Sequence, residues 1–513
     1  MKLYFFALVA LATPSLFAQP SIEWQFRYGG TGDEQVTAIR QTADGGYIAI
    51  GHSWSKDGDV GNHHGNNDKY DVWVVKLDAQ GGLQWQNSYG GTNWDYGGDI
   101  LQTPDGGYVF VGAVDSHDGD VSSFSGSRAN WIVRLSPTGA IVWEKPIPGF
   151  LPTGKSVVAL ENGNFVVAAS SNDSYHIFEI DASGETILWE NSFGGSKQES
   201  LGSMARTQDK GFIMTGSSWS NDGDVSGHHG TTEFGDYWVV KVDSVGELLW
   251  QKSLGGTYLE QSYRIIGTSD GGSLVSGFSY SNDGDVSGSH GAVGSSSDGW
   301  VVKLNSDGDV TWQKCLGGTS SNDVFPTMFE TPDGNFVLGG LVISHDGDVD
   351  TTQLEGGGDC WIVTLNPQGS IIAQLVIGGS EFDQINCIIP CTDGGMIFGG
   401  YAGSSDGDLN SAPLSFYSDY WFVKLGAVSA TEETASNSLQ ISPNPGSSVL
   451  YLESPEADPL TQLTIVNQAG SLIHQASYTP GEFIDVSRVP KGVYWVTAES
   501  KSGKKRISKW IKQ

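Results

Sequence analysis

The sequence predicts an all-β protein: a closed seven-bladed β-propeller followed by a small Ig-like β-sandwich. Three observations carry this prediction: a phrase repeated seven times, 71 glycines among 513 residues, and short strand-like runs without a sustained helical period. Glycine at this frequency is typical of a chain with many tight turns. Hydrophobic residues make up 38% of the chain, which is enough to build a core and argues against wholesale disorder.

Residues 1–18 predict a secretory signal peptide. Lys2 is followed by an apolar run over residues 4–12, then by Thr13-Pro14-Ser15 and a small residue, Ala18. No later stretch approaches the roughly 20 apolar residues of a transmembrane helix. We therefore expect Sec export to the periplasm and a mature chain without a membrane span.

A Trp-bearing strand recurs through residues 19–425, which we predict to form the propeller. Its copies lie at Trp24, Trp85, Trp143, Trp189, Trp250 and Trp312, with Ala373 in the last. Most spacings are 58 to 62 residues, and only the third copy, at 46, is clearly short. Each copy holds about four strand-like runs, in the second copy at residues 98–103, 108–114, 131–135 and 141–145. Seven four-stranded units fit a propeller better than a solenoid or a sandwich.

An Asp-x-Trp strand and a turn of the Thr-x-Asp-Gly-Gly kind also recur once in each copy of the repeat. The strand begins at Asp71, Asn130, Asp236, Asp298, Asp359 and Asp419, and has decayed to a run from Tyr175 in the third copy. The turn lies at Asp44, Asp105, Asn162, Asp209, Asp270, Asp333 and Asp393. Because both sets of tryptophans recur in nearly every copy, we interpret them as packing between blades, with the Asp holding a neighbouring turn.

The two ends of the repeat array complement each other. The first copy begins with a Trp strand at residues 22–28 that lacks its three preceding partners, and the last ends with a strand at residues 419–425 that lacks a following one. If the N-terminal strand becomes the outer strand of the last blade, the ring closes and no sheet edge is left exposed.

The charge is strongly acidic and unevenly spread. The chain has a formal net charge of −32, and the body alone holds 18 basic and 51 acidic residues, a net charge of −33. A body of this charge repels nucleic acid and anionic membranes and attracts cations. We therefore expect no nucleic-acid partner.

Four cysteines lie late in the body, at Cys315, Cys360, Cys387 and Cys391. An exported chain permits disulfides, and four cysteines allow three pairings. Cys387 and Cys391 lie too far apart along one extended strand to bridge each other. Cross-blade disulfides and buried thiols are the two interpretations.

Residues 426–437 read as a small-residue and polar linker, and residues 438–513 as a separate domain of about seven short strands. This domain contains Ser442 before Pro443-Asn444-Pro445, Gly470 at a turn, Lys491-Gly492 before Tyr494, and a Lys-rich end. The order of these motifs resembles the type A sorting domain of the type IX secretion system of Bacteroidetes-type bacteria. The resemblance implies recognition by the outer-membrane translocon and release or attachment at the cell surface.

Asp-Gly-Asp loops occur in every copy but the third, which is also the short one. They crowd carboxylates onto the face that carries the Gly-Gly connections between blades, and their members are Asp57, Asp59, Asp118, Asp120, Asp222, Asp224, Asp283, Asp285, Asp346, Asp348, Asp406 and Asp408. Paired carboxylates in flexible loops suit Ca²⁺, which accepts six to eight oxygen ligands. The alternative is Asx-turns bonded to their own backbone.

Other loop residues are candidates for ligand contact. Unrepeated aromatic residues of the face loops could stack on a carbohydrate, and these are Trp54, Trp94, Trp219, Tyr258 and Tyr280. We interpret His63-His64 and His228-His229 as exposed polar loop residues, since neighbours on a strand point to opposite faces and share a metal poorly. The six arginines of the body show no pattern of a carboxylate-binding cluster.

No catalytic motif with a known chemical role is present. We therefore expect an exported surface or secreted binding protein, a monomer whose ligand is a glycan or a protein. Two alternatives stay open: a polysaccharide-acting enzyme that uses face carboxylates, and a structural or adhesive surface protein.

Overall fold

The computed structural model describes residues 20–65, 68–148, 154–171, 173–320, 322–354, 356–409, 418–427, 441–442, 449–452, 460–467, 472–479, 483–501 and 505–512. The predicted signal peptide at residues 1–18 lies outside these ranges. The chain divides into two compact units between Ala427 and Val428, and each is described by itself.

The first unit consists of seven four-stranded antiparallel sheets, which we number as blades in chain order. Blade 1 is β2 (Glu34–Gln41), β3 (Tyr47–Ser53), β4 (Asp71–Leu77) and β5 (Leu83–Tyr89). Blade 2 is β6 (Asp95–Gln102), β7 (Tyr108–Val114), β8 (Ala129–Leu135) and β9 (Ile141–Pro148). Blade 3 is β10 (Gly154–Ala159), β11 (Phe165–Ser171), β12 (Ser174–Ile180) and β13 (Ile187–Phe193).

The remaining blades repeat this order. Blade 4 is β14 (Glu199–Arg206), β15 (Phe212–Ser218), β16 (Asp236–Val242) and β17 (Leu248–Leu254). Blade 5 is β18 (Glu260–Gly267), β19 (Ser273–Ser279), β20 (Asp298–Leu304) and β21 (Val310–Leu316). Blade 6 is β22 (Val324–Glu330), β23 (Phe336–Val342), β24 (Asp359–Leu365) and β25 (Ile371–Ile377). Blade 7 is β26 (Asp383–Pro390), β27 (Met396–Ala402), β28 (Tyr420–Leu425) and, from the N-terminus, β1 (Ile22–Tyr28).

Ring closure by the N-terminal strand is confirmed. β1 pairs antiparallel with β28 from Ile22 opposite Leu425 to Tyr28 opposite Tyr420. The Trp421 indole N–H donates to Gln25 Oε1 at 3.1 Å, and Lys424 Nζ lies 3.2 Å from Glu23 Oε2. These contacts cover the edge of β28 that the last repeat leaves unpaired.

The middle strands of each blade are buried on both faces because neighbouring blades cover them. Every residue of β3, β4, β7, β8, β15 and β16 is buried. The tryptophans of the Asp-x-Trp strands are at most 1% exposed, at Trp73, Trp131, Trp238, Trp300, Trp361 and Trp421. Each of these indoles donates to a Gln or Glu of its outer strand, as Trp73 does to Gln86 Oε1 at 2.9 Å.

The tryptophans of the outer strands pack on the turn of the next blade. Gly139 of blade 2 has a φ of +83°, and a Cβ there would lie 3.0 Å from the Trp85 ring of blade 1. The same approach recurs between Trp143 and Gly184, and between Trp189 and Gly246. Glycine is needed at this turn for its left-handed backbone and for the close approach of the ring. Both sets of tryptophans therefore belong to the scaffold.

The structure refines two sequence predictions about the body. In blade 2 the inner strand begins at Asp95 rather than residue 98, and the outer one extends to Pro148. All four cysteines are buried free thiols, so the thiol interpretation holds and the cross-blade disulfides do not form. Burial raises the pKa of the Cys387 thiol to about 12, so it stays protonated.

The second unit has seven described strands, as the sequence predicts. They are β29 (Ile441–Ser442), β30 (Val449–Leu452), β31 (Leu460–Asn467), β32 (Leu472–Ser477), β33 (Ile484–Asp485), β34 (Gly492–Ser500) and β35 (Lys505–Lys512). A three-stranded sheet, β29-β30-β33, and a four-stranded sheet, β32-β31-β34-β35, share one core that includes Leu450, Leu463 and Trp510. Two sheets around a common core form a small β-sandwich.

Of the predicted sorting residues, Pro443, Asn444, Pro445 and Gly470 lie outside the described residues. Lys491 and Gly492 lie where the chain enters β34. The buried Tyr494 donates its hydroxyl to the Pro490 carbonyl at 2.8 Å, which fixes this entry turn. Among the described residues no helix is both long and apolar enough to cross a membrane.

Candidate binding site

The Asp-Gly-Asp loops fasten the Gly-Gly connections that lead into six of the seven blades. The first Asp of the loop accepts the backbone N–H of the residue after Gly-Gly, as Asp283 Oδ1 does from Thr257 at 2.8 Å. The equivalent bonds of the other five loops measure 2.6 to 2.8 Å. The second Asp donates its own N–H to the first Gly of the pair, as Asp285 does to Gly255 at 2.8 Å.

This arrangement differs from the local Asx-turn that we considered as the alternative to calcium. The bonded residues are 26 to 30 positions apart along the chain, so the loop acts as a long-range clamp. A buried aliphatic residue directly after each Asp-Gly-Asp anchors the loop, as Val286 does at 1% exposure. Among the described residues, no group of three or more His, Cys, Asp or Glu side chains has an arrangement that could hold a metal ion.

A second, buried carboxylate lies at the start of the inner strand of six blades, in blade 6 directly before it. These residues are at most 1% exposed, and they are Glu34, Asp95, Glu199, Glu260, Asp323 and Asp383. Glu260 Oε2 accepts the N–H of Gly256 at 2.9 Å, and Oε1 accepts the Ser279 hydroxyl at 2.7 Å. Burial raises the pKa of Glu260, and that of Asp95, to about 7.

The histidine interpretation from the sequence is wrong in part. His64 donates its backbone N–H to Asp71 Oδ2 at 2.6 Å, its Nδ1 lies 3.0 Å from the same oxygen, and its Nε2 lies 3.7 Å from Asp120 of the next blade. His229 makes the same bridge between Asp236 and Asp285. His290 makes it between Asp298 and Asp348. The His228 side chain is only 1% exposed. The sequence signal was a His-Gly pair seven or eight residues before the Asp of the Asp-x-Trp strand.

The structure brings two of the five predicted aromatic residues together. Trp54 stacks on Tyr70 with ring centroids 5.1 Å apart and planes 11° from parallel, and Trp94 stacks on Tyr96 at 6.1 Å and 6°. Tyr70 joins the two pairs, at 5.2 Å from Trp94. All four rings are partly exposed, and we call them the aromatic cluster. Sequence reasoning missed Tyr70 and Tyr96.

The other three predicted aromatics lie in blades 4 and 5. Trp219 covers Gly235, Tyr258 lies 5.7 Å from Phe234, and the Tyr280 hydroxyl donates to Asn322 Oδ1 at 3.0 Å. No ring contact among the described residues connects them with the aromatic cluster.

A cavity of about 800 Å³ lies where the inner strands of all seven blades meet. Each inner strand carries a β-bulge at the same place, and the bulged residues line the cavity: Thr37, Gly98, Lys155, Gly202, Tyr263, Pro326 and Asn386. A bulge re-aims a side chain out of the regular alternation, so it presents this residue to the cavity. His52 and Tyr96 also line the cavity, which places the aromatic cluster at its rim.

Positive charge collects in this cavity. Arg40, Lys155 and Arg264 line it, and Arg128 lies at its edge in an ion pair with Asp115 at 3.1 Å. The spacing of the arginines in the sequence shows no pattern, whereas the structure places Arg40, Arg128 and Arg264 in the lining of one cavity. Arg40, Arg264 and Lys155 converge because they lie on inner strands of different blades, two, four and five residues before the turn that follows each strand. A detectable signal existed only for Arg264, whose position holds Ala, Ser or Thr in most other copies.

Comparison with known proteins identifies the C-terminal unit. Residues 440–513 match the family model of the secretion system C-terminal sorting domain. This confirms the resemblance drawn from the motifs. None of the curated proteins matches the chain.

The body is similar in fold to solved propellers. The Dos1 propeller covers 80% of this chain and 95% of its own, at 11% identity and a TM-score of 0.45. YCF48 bound to the D1 peptide covers 81% and 100%, at 9% identity and 0.43, and Sqt1 from Chaetomium thermophilum covers 79% and 100%, at 11% identity and 0.40. These similarities concern the fold alone. The chain thus joins a seven-bladed β-propeller to a type IX secretion system C-terminal sorting domain.

Proposed function

We propose that this protein is an extracellular carbohydrate-binding protein, secreted or held at the cell surface, and that the aromatic cluster holds its ligand. Export after cleavage of a Sec signal peptide at residues 1–18 and monomeric action are parts of the proposal. The sorting domain supports the destination. The aromatic cluster at the rim of the cavity is the observation that carries the ligand class.

Aromatic rings suit sugars because the ring face is electron-rich and the C–H groups on one side of a pyranose are slightly positive. Two near-parallel pairs, Trp54 with Tyr70 and Trp94 with Tyr96, offer several such surfaces within one patch. The Lys69 ammonium lies 4.6 Å above the Trp94 ring and contributes a hydrogen-bond donor for hydroxyl groups.

Two of the four aromatic residues of the cluster, Tyr70 and Tyr96, have no aromatic counterpart in the other blades, whereas Trp54 corresponds to Trp219 and Trp94 to Phe382. Where blade 2 has Tyr96, the corresponding residues are Gln35, Ser200, Gln261, Val324 and Gln384. Where blade 1 has Tyr70, the residues before the Asp of the other Asp-x-Trp strands are Gly235, Ser297, Gly358 and Ser418. The other blades fold without aromatic residues at the positions of Tyr70 and Tyr96, so the propeller does not need these two side chains.

Binding is favoured over hydrolysis by the lining of the cavity. Glycoside hydrolysis needs two carboxyl groups about 5 to 10 Å apart. Asp99 is the one acidic residue among the described residues that line the cavity, and it is already paired with Arg40 at 2.6 Å. The carboxylates of the Asp-Gly-Asp loops accept hydrogen bonds from the backbone.

The test is a glycan array probed with the mature chain, with Trp94→Ala probed in parallel. We expect a restricted set of saccharides to bind the wild type and to be lost with W94A. A reducing-sugar assay on the bound saccharides runs alongside. Turnover of a saccharide would favour the enzyme alternative, and an array without any bound saccharide would contradict the proposal.

A further inference from the structure

We propose that the central cavity is an anion site, and that Arg264 and Lys155 bind the carboxylate or sulfate group of an acidic saccharide whose sugar ring lies on the aromatic cluster. That the ligand is a saccharide rests on the proposed function. That the cavity binds an anion rests on the cavity alone. The shared chemistry of the two anions is an oxyanion with at least two acceptor oxygens, which a guanidinium can bind through two parallel N–H donors.

The charge of the cavity is opposite to that of the body. The body has 51 acidic and 18 basic residues, whereas the lining holds Arg40, Arg128, Lys155 and Arg264 against Asp99. Five other cations of the body are used by the scaffold: Lys76, Arg134, Lys241, Lys303 and Lys424 each pair with the Asp of their own blade's turn. The cavity lining therefore carries a net positive charge within an acidic protein.

Two of these cations have no anionic partner among the described residues. Asp99 is occupied by Arg40 Nη2 at 2.6 Å and by the N–H groups of Ile100 and Val157, at 2.9 and 3.2 Å. The Arg264 Nε atom is buried and has no hydrogen-bond partner in the described part of the chain. Lys155 has no ion pair there, and burial lowers its pKa and that of Arg264. A partly buried charge without a partner costs free energy, which a bound anion would offset.

Arg264 also breaks a rule that the neighbouring blades follow. At its position four of the six other side chains accept a backbone N–H of the next blade: Asp99 from Val157, Ser156 from Met204, Ser203 from Ile265 and Thr327 from Ile388, at 2.8 to 3.2 Å. The other two, Ala38 and Cys387, are uncharged. A guanidinium has no acceptor atom, so the Arg264 side chain cannot accept this hydrogen bond from blade 6. Arg264 is the only cation at this position of the seven copies, and a residue that departs from a repeated pattern is typical of a functional site.

The cavity and the aromatic cluster are contiguous. Tyr96 lines the cavity and stacks on Trp94, so a sugar ring on Trp94 has the opening beside it. The volume of about 800 Å³ accommodates one or two sugar residues. Because the surrounding surface is acidic, a densely charged polymer is repelled on approach. The structure therefore favours a saccharide with isolated anionic groups.

The experiment uses the mature chain and substitutions that other blades already carry. Arg264→Ser copies Ser156 and Ser203, and Lys155→Thr copies Thr37. The control is Arg206→Gln, whose guanidinium lies outside the cavity lining, 3.9 Å from Glu161. The probes are millimolar galacturonate and millimolar inorganic sulfate, measured by calorimetry and by melting.

We expect both probes to bind the wild type and R206Q, and to bind the R264S/K155T double variant at least tenfold more weakly. The R264S variant should melt at or above the wild-type temperature, since serine restores the acceptor to blade 6. Galacturonate binding that exceeds sulfate binding assigns the anion to a uronic acid, and the reverse order to a sulfate ester.

Equal binding of both probes to the wild type and to the double variant would overturn the inference, and so would the absence of binding to the wild type. Neither result touches the proposed function, because neutral saccharides could still bind the aromatic cluster. Conversely, anion binding with an empty glycan array would contradict the proposed function and leave the anion site standing.

Discussion

Buried titratable residues at the blade junctions make the stability of this protein depend on pH. Glu260 and Asp95 have a pKa of about 7, well above the ordinary 4.5 and 3.8, because they are buried. The hydrogen bond with Asp71 raises the pKa of His64; for His290, burial opposes the rise, and contacts with Asp298 and Asp348 outweigh it. Each of these groups holds its proton more tightly in the folded state than in the unfolded one. The stability that they contribute is therefore present at low pH and lost as pH rises through about 7.

We predict that the melting temperature falls between pH 5.5 and pH 8, and that Glu260→Gln makes the fall smaller. Glutamine resembles the protonated carboxyl and does not ionise. The measurement is a melting series across this range for the wild type, E260Q and the control Glu247→Gln, whose carboxylate is exposed. The same slope in E260Q and the wild type would show that Glu260 does not titrate in this window.

At the scale of elements, the Asp-Gly-Asp loop is a clamp on the connection between blades. Blade 3 has no such loop, and its β11 passes into β12 within a few residues, yet the blade has the same four strands. The loop therefore adds to a blade that is complete without it. The carboxylates of the loop stabilise the connection through hydrogen bonds to the Gly-Gly segment. These bonds can be removed one at a time by substitution.

We predict that Asp283→Ala speeds amide exchange at Thr257 while Asp283→Asn largely preserves it. Alanine removes the acceptor for the Thr257 N–H, whereas the asparagine carbonyl can still accept it. Hydrogen exchange of the mature chain, read at peptides that contain Thr257, measures the difference. Equal protection in both variants would mean that this bond does not hold the connection.

The two interpretations of these loops, a calcium site and a clamp held by backbone hydrogen bonds, predict different responses to calcium. A metal held by the carboxylates would raise the melting temperature in calcium relative to chelator, by mass action. The loops already have backbone donors for their carboxylates, and from these bonds alone we expect no shift. A rise of several degrees in millimolar calcium would contradict this expectation and support the calcium site.

At the scale of the molecule, the first strand joins the two ends of the chain's propeller. β28 pairs only with β27 unless β1 is present, and its free edge would then offer backbone groups to another molecule. We predict that removing residues 19–28 gives a protein that associates or unfolds, whereas removing residues 438–513 leaves a monomeric propeller. Light scattering and melting of the two truncations distinguish these outcomes, and a monomeric, cooperatively melting chain without residues 19–28 would contradict the closure account.

Repetition explains what could be predicted from the sequence. Trp73 and its equivalents recur at fixed spacing, so the blade count, the ring closure and the burial of these indoles followed from the pattern. Arg40, Lys155 and Arg264 occur once each, far apart in the chain, and only the ring brings them together. The bridges of His64, His229 and His290 join neighbouring blades, and their geometry depends on a loop conformation that spacing alone does not define.

The central claim is that ligand binding lies where the blades differ. A calorimetric titration of the saccharide found on the array tests it most directly, with wild type, Trp94→Ala and Trp219→Ala compared. Trp219 is a partly exposed loop tryptophan of the same face, outside the aromatic cluster. We predict that W94A weakens binding by about tenfold or more, as expected for the loss of one buried aromatic contact, and that W219A changes it less than about twofold. Unchanged binding in W94A, or an equal loss in both variants, would contradict the account.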